Sequence, residues 1–547
     1  MSEKNYRERF LWALAIVLIL AVYIANLFIP ITSDAGKYAA VAKIIVQSGD
    51  WINLTIHHES YGHKPQFLFW MAAVFYKLFG VHSSMFKLPV LLYSLFGFYS
   101  TYRLGKLLYS EKVGRLAGLM MFSSEIFLLF TNDVHMDILM ASSCAFALWM
   151  LVSYFQTRKF SHFVLGLAGV GLTVFSKGIV GLSVPVFAVV THLLLTRQYK
   201  ELFHPRWLLA IPVIGLFLLP TVVGIYRQLG WEGLYFYFIE NNVGRMNGTL
   251  KGNNNDLLFY FHTTLYILLP WSFAVLISLF TDIADNIKKG FKNVEGREFI
   301  TLGGIIWYWL IISVSIAKAP HYMMIMVPLL FIITAKWVVK IFDNKERPKL
   351  KKWLYGLQWV TWVLLIILSL LFSLWIFPAK NIGYWLFFAV AIIAFVMSLK
   401  VKKQLTRWTM ASVIAIALVS WTIDVIVFPG EFNYHSTIPA CKVFNKEAGE
   451  NEVVHTYRSS HRELFFYAKN PGLFLYNEED LKSALKGKDI WIYTDSQGLE
   501  EIKGLGRSFD KIYHFKHKTM GRQSLKFLNP ATREKALKDM YLVKIHQ

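Results

Sequence analysis

Cysteine is nearly missing from this 547-residue chain, which has only Cys144, inside an apolar run, and Cys441, near the C-terminus. Two such residues exclude a disulfide framework and any cysteine-based metal motif. Acidic residues are scarce too: 35 Asp and Glu stand against 57 Lys and Arg, a formal charge of +22. No long low-complexity tract and no solenoid period occurs.

What is present is hydrophobic. Some 55% of residues are apolar and 16% aromatic, well beyond a soluble protein of this length, so the chain is a membrane protein. Its basic excess gathers in short loops between apolar runs, which is the signature of membrane topology and not of nucleic-acid binding. Leu11 to Ile31 is uncharged, long for a signal-peptide core and without a clear small-residue cleavage site. It reads as a retained first span.

With about 20 apolar residues per span, thirteen candidates are found: 11–31, 87–108, 114–131, 135–156, 161–176, 178–196, 207–226, 257–281, 299–317, 320–340, 353–377, 381–399 and 407–428. Segments 35–47 and 65–80 are amphipathic and read as helices lying along the interface. Threading the spans from a cytoplasmic N-terminus puts about two dozen Lys and Arg in the inner loops and about half that number outside. The expected architecture is mainly α, a polytopic bundle at 1–428 with outer loops at 32–86 and 227–256. An extracytoplasmic α/β unit follows at 429–547. There VVHTYR, LFFYA, LFLY and DIWIYTD read as strands, and NEEDLKSALK as a capped helix. His455, His461 and Glu463 read as its surface residues.

The stretch from Asp34 to Gln66 carries Asp34, His57, His58, Glu59, His63 and Lys64 between apolar segments. Apolar neighbours cannot solvate such groups, so they need an aqueous or enclosed polar site. On the predicted topology Asp34, Lys64, Asp133, His135, Asp137, Lys177, Arg245, Lys251, Lys318 and His321 all fall on the outer side. Lys177 reads equally well as an interfacial anchor. Trp231 and Tyr235 to Phe238 read as an interfacial belt, with a path for a lipid tail as the alternative.

Four stretches in order carry a resemblance. DAGKYAAVAKIIVQSGDW with GHKPQFLFWMAAVFYKLFG, LGLAGVGLTVFSKG at 165–178, FIENNVGRMNG with LLPWS at 268–272, and SVSIAKAPHYMMIMVPL at 313–329 resemble the bacterial lipid A aminoarabinose transferases. They also resemble the protein O-mannosyltransferase relatives of those enzymes, glycosyltransferases of the C superfamily (GT-C). The resemblance implies an inner-membrane enzyme that transfers a sugar, with inversion, from a polyprenyl-phosphate donor to a lipid A-like lipid, glycan or protein on the outer face. By the same match Asp34 is the base, Asp137 orients a loop or the acceptor, and Lys64, Arg245 and Lys318 hold the donor phosphate. Tyr38, Asp133, His135, Lys177, His321 and Tyr322 would line the pocket. The chain departs from the relatives where Asp34 is followed by Ala35 instead of Glu, and where His63 replaces a metal-ligating Glu. The partner histidine falls among Asn253, Asn254 and Asn255. His63, with His57, His58 or Glu59, then either ligates a divalent ion, zinc or magnesium, or is a solvated loop group. A polyprenol-linked transporter or flippase is the alternative function; it would show repeated halves with broken spans, and no repeat is seen.

Overall fold

The computed structural model describes residues 3–545 apart from 58, 251–253, 291–295, 344–346, 486–489, 507 and 519–523. His58, Lys251 and Asn253 therefore lie outside the described residues. The chain is a helical bundle followed by a small sheet. Among the described residues, eight helices are long and apolar enough to cross a membrane, or nine if one bent pair counts as a single span. Thirteen were expected, and the difference has local causes. Segment 87–108 is one long helix, α4 (Ser83–Leu108), that carries Lys87, Arg103 and Lys106. Segment 114–131 is two helices bent by 42°, and 257–281 breaks into Phe259–Ile267 and Ser272–Lys289 around the cis Leu269–Pro270 bond. Ile179–Leu195 and Ile300–Val314 are apolar but short.

Four elements position the polar end of the bundle. After the first span, α1 (Glu3–Phe28), the chain turns into α2 (Ser33–Ser48), with Asp34 in its first turn and Gly49 in the left-handed region at its end. A two-residue hairpin, β1 (Thr55–Ile56) and β2 (Glu59–Ser60), leads to α3 (Phe67–Phe79). Both α2 and α3 fall where amphipathic helices are expected.

Two further helices, α7 (Met136–Thr157) and α8 (Phe160–Lys177), form an antiparallel hairpin, turned by Arg158 in the left-handed region; α5 (Glu111–Phe122) and α6 (Glu125–Asn132) are the bent pair before it. The glycine-spaced run of α8 lets the two backbones close: a Cβ on Gly169 would stand 2.7 Å from the Ala147 Cα. Because the hairpin is antiparallel and tight, the start of α7 and the end of α8 face each other, which brings Asp137 to Lys177.

The C-terminal unit holds a five-stranded sheet of β3 (Val454–Tyr457), β4 (Pro471–Leu475), β5 (Ile490–Asp495), β6 (Phe509–His517) and β7 (Lys538–Ile545). Its order is β4-β3-β5-β7-β6, with β3 parallel to β4 and β5, and β7 antiparallel to β5 and β6. Asn477 caps Glu478–Ala484 by accepting from the Asp480 N–H at 2.8 Å. LFFYA is a helical turn, Leu464–Tyr467, and not a strand. That turn is fastened to α2: Lys43 donates to the Phe466 and Ala468 carbonyls at 3.1 and 2.9 Å, terminal acceptors that need a donor. Tyr467 bonds both the N–H and the carbonyl of Ile31. The α2 backbone meets Glu463 so closely that a Cβ on Gly36 would lie 2.4 Å from the Glu463 Cβ. The sheet unit thus sits on the first loop.

Candidate active site

One polar cavity of about 540 Å³ lies where these elements meet. Asp34, Lys37 and Tyr38 enter it from α2, Tyr61, His63 and Lys64 from the loop before α3, and His135, Asp137 and Lys177 from the α7–α8 hairpin. Arg245 comes from the short helix Asn241–Asn247, Lys318, His321 and Tyr322 from the start of the 3-10 turn Pro320–Met326 and the residues before it, and Arg462 from the C-terminal unit. Residues remote in sequence converge, as their one-sided clustering predicts.

The pairings could not be read from sequence. Asp137 accepts from Lys177 at 2.5 Å, and both side chains are nearly buried. The Lys177 ammonium also stands 4.7 Å over the Tyr322 ring. Asp34, 57% exposed, contacts Lys37 at 2.6 Å. Arg245 donates to Asn241 at 3.1 Å and to the Tyr322 hydroxyl at 2.9 Å, while its own carbonyl accepts from the Ala317 N–H at 3.0 Å. This stitches the Arg245 and Lys318 segments together. Lys318 spends two of its three donors on the Ser315 and Asn254 carbonyls, at 2.6 and 2.8 Å.

Six cations, Lys37, Lys64, Lys177, Arg245, Lys318 and Arg462, face two carboxylates, Asp34 and Asp137. The imbalance shows at Lys64: burial, reinforced by Lys177 and Arg245, pushes its ammonium down to about 7. Burial with Lys37 and Lys64 nearby lowers the His63 imidazole likewise, so it is neutral. Burial, aided by Asp34, holds the Tyr61 phenol well above its usual range, keeping it a donor. The charge balance of the cavity favours an anion over a cation.

Other expected residues lie elsewhere. Asp133 lines a neighbouring, mostly apolar cavity with Ser33 and Glu431, and bonds His135 at 2.8 Å. The His57 ring packs on Phe465, and Glu59 accepts from the Tyr476 hydroxyl at 3.0 Å. His63 packs edge-on against Tyr61 and Phe236. These loop groups form no common ligand set among the described residues, because the hairpin turns His57 and Glu59 toward the C-terminal unit. Among the described residues, the groups that could hold a metal are His135, Asp137 and His321, and separately His435, His461 and Glu463. Glu463 and His455, expected at the surface, are buried. Trp231 and Tyr235 are exposed and Tyr237 is buried, so the aromatic run does not act as one belt. Sequence reasoning missed Lys37, Tyr61 and Arg462; for Lys37 the signal was its position one turn after Asp34.

Residues 63–225 match the family model described as dolichyl-phosphate-mannose-protein mannosyltransferase. An uncharacterized protein of Aquifex aeolicus is 26% identical over 370 residues, 67% of this chain and 70% of that protein. The undecaprenyl phosphate-alpha-4-amino-4-deoxy-L-arabinose arabinosyl transferase of Edwardsiella ictaluri is 23% identical over 71% of this chain and 72% of its own length. Among solved structures, ArnT from Cupriavidus metallidurans bound to undecaprenyl phosphate superimposes with a TM-score of 0.73 at 15% identity, covering 99% of this chain and 98% of that one. The likeness to aminoarabinose transferases and their mannosyltransferase relatives is borne out, and the fold is that of ArnT.

Proposed function

We propose that the protein is an integral-membrane glycosyltransferase that moves a sugar from a polyprenyl-phosphate donor to a lipid, glycan or protein acceptor, with inversion, at the outer face of the inner membrane. The observation that carries this reading is the surplus of cations in a cavity that also holds an exposed carboxylate. Lys64, Arg245 and Lys318, joined by Arg462, hold the donor phosphate. The acceptor oxygen attacks the anomeric carbon from the face opposite the phosphate, the bond from that carbon to the phosphate oxygen breaks, and the electron pair leaves with the phosphate. Asp34 takes the acceptor proton. Fixed cations stabilise the charge that develops on the leaving group. Asp137 is a positioning residue: its carboxylate is committed to Lys177, so it holds that lysine beneath Tyr322.

A divalent ion at His135, Asp137 and His321 would meet Lys177 already at contact with the Asp137 Oδ1. The lysines and arginines supply the positive charge, and no step is routed through a metal. Membranes expressing the protein, given polyprenyl-phosphate sugars and a lipid extract, should label a lipid, glycan or protein fraction. No transfer with any donor, from protein shown to be folded, would overturn the reading.

A further inference from the structure

A second polar cluster lies outside the transfer pocket, in the C-terminal unit. His435 precedes helix Thr437–Glu447, His461 and Glu463 follow β3, and His517 ends β6. All but His461 are buried. The His435 Nε2 and the His461 Nδ1 each stand 3.3 Å from the same Glu463 Oε1, which also accepts from the Thr437 hydroxyl at 3.2 Å. His517 lies alongside, its ring centroid 4.2 Å from that of His461. Its Nδ1 is held by the Ser436 hydroxyl at 2.8 Å and the Ser436 N–H at 3.3 Å.

Hydrogen bonding alone does not close this cluster. The His517 Nε2 is buried without a partner, which folded proteins seldom leave so. Two imidazoles and a hydroxyl crowd the single Oε1 of Glu463, at 3.2 to 3.3 Å. The spacing fits a different arrangement: ligand atoms about 2.0 Å from a tetrahedral zinc stand roughly 3.3 Å apart. The ligand atoms of His435, His461 and Glu463 all lie within 4.8 Å of one another. Here, unlike at Asp137, no lysine or arginine among the described residues pairs with the carboxylate, whose partners are His435, His461 and Thr437.

We propose that His435, His461 and Glu463 form a zinc site. Two imidazoles and a carboxylate suit zinc and not magnesium, which favours octahedral oxygen. The fourth position belongs to a water beside the His517 Nε2, and the Ser436 bond to His517 is the kind of outer contact that orients such a ring. The ion would tie the segment after β3 to the start of Thr437–Glu447. That segment carries Glu463 against Gly36 of α2 and places Arg462 in the polar cavity, so the site fixes how the sheet unit rests on the first loop.

The test uses full-length protein in detergent, stripped with chelator, reloaded with zinc and passed through gel filtration before elemental analysis. About one zinc per chain is expected, retained by the double variant His135→Gln/His321→Gln and lost in His461→Gln and in Glu463→Gln. Cobalt loaded into the wild-type protein, which needs no variant to fold, should give the intense visible bands of a tetrahedral site. Wild-type protein that binds no zinc and gives no such bands, or His461→Gln that keeps its full zinc, would overturn the proposal.

Discussion

Asp137 and Lys177 meet at 2.5 Å across the mouth of the α7–α8 hairpin, with side chains only 2% and 10% exposed. A buried pair is costly to break from one side, because the remaining charge is left uncompensated. Lys177→Met should therefore destabilise the protein by about 3–5 kcal/mol, and Asp137→Asn/Lys177→Met should recover much of that loss. Thermal unfolding in detergent measures both, and additive losses would show that the two side chains are not coupled.

Asp34 is exposed on the cavity side of α2, so its removal should cost chemistry and not fold. Asp34→Asn is expected to lower turnover by about 100- to 10,000-fold, the range for losing a general base, with an unchanged melting temperature. Wild-type turnover in that variant would remove Asp34 from the mechanism.

Lys64 sets a pH dependence. Its ammonium is held down to about 7 by burial and by Lys177 and Arg245, so in the empty site it is charged below that pH and neutral above it. Donor kcat/KM should fall as pH rises through about 7, and Lys64→Arg should flatten the profile. Lys64→Ala should raise donor KM roughly 10- to 100-fold, the worth of a charged hydrogen bond. The stability consequence has the opposite sign: the unfolded chain binds this proton more tightly, so the empty fold gains stability as pH climbs from about 7 toward the ordinary lysine value.

Gly36 has no room for a side chain, since its Cβ would meet the Glu463 Cβ at 2.4 Å and the Glu463 Cα at 2.9 Å. Gly36→Val should cost about 1–3 kcal/mol by overpacking and should loosen the sheet unit from α2. Limited proteolysis in the segment after the last span should then quicken, and donor KM should rise as Arg462 withdraws. Unchanged proteolysis would mean that α2 and the sheet unit separate freely.

Much of the bundle was legible because a span must be apolar along its own length, a local property. The expected span at 87–108 is a helix, α4, despite its three cations, whereas the bent α5–α6 pair reads as one run. LFFYA has the composition of a strand, yet folds as a helical turn because its carbonyls are taken by Lys43 of α2. The terminal strands β6 and β7 went unread: in FDKIYHFKH only Tyr513 to Lys516 alternates apolar with polar side chains, too short a run to stand out.

From the sequence alone it followed that this is a membrane protein whose ionisable residues gather at one end of its apolar spans, in an order shared with a family of transferases. Hydrocarbon penalises each buried charge wherever it stands, so that sorting is written residue by residue. Only the tertiary structure decided which cation answers which acid, that His57 and Glu59 turn away from the cavity, and that Arg462 arrives from the far end of the chain. Those outcomes depend on backbones closing at Gly169 and Gly36, and a contact between remote segments exists only once both have packed.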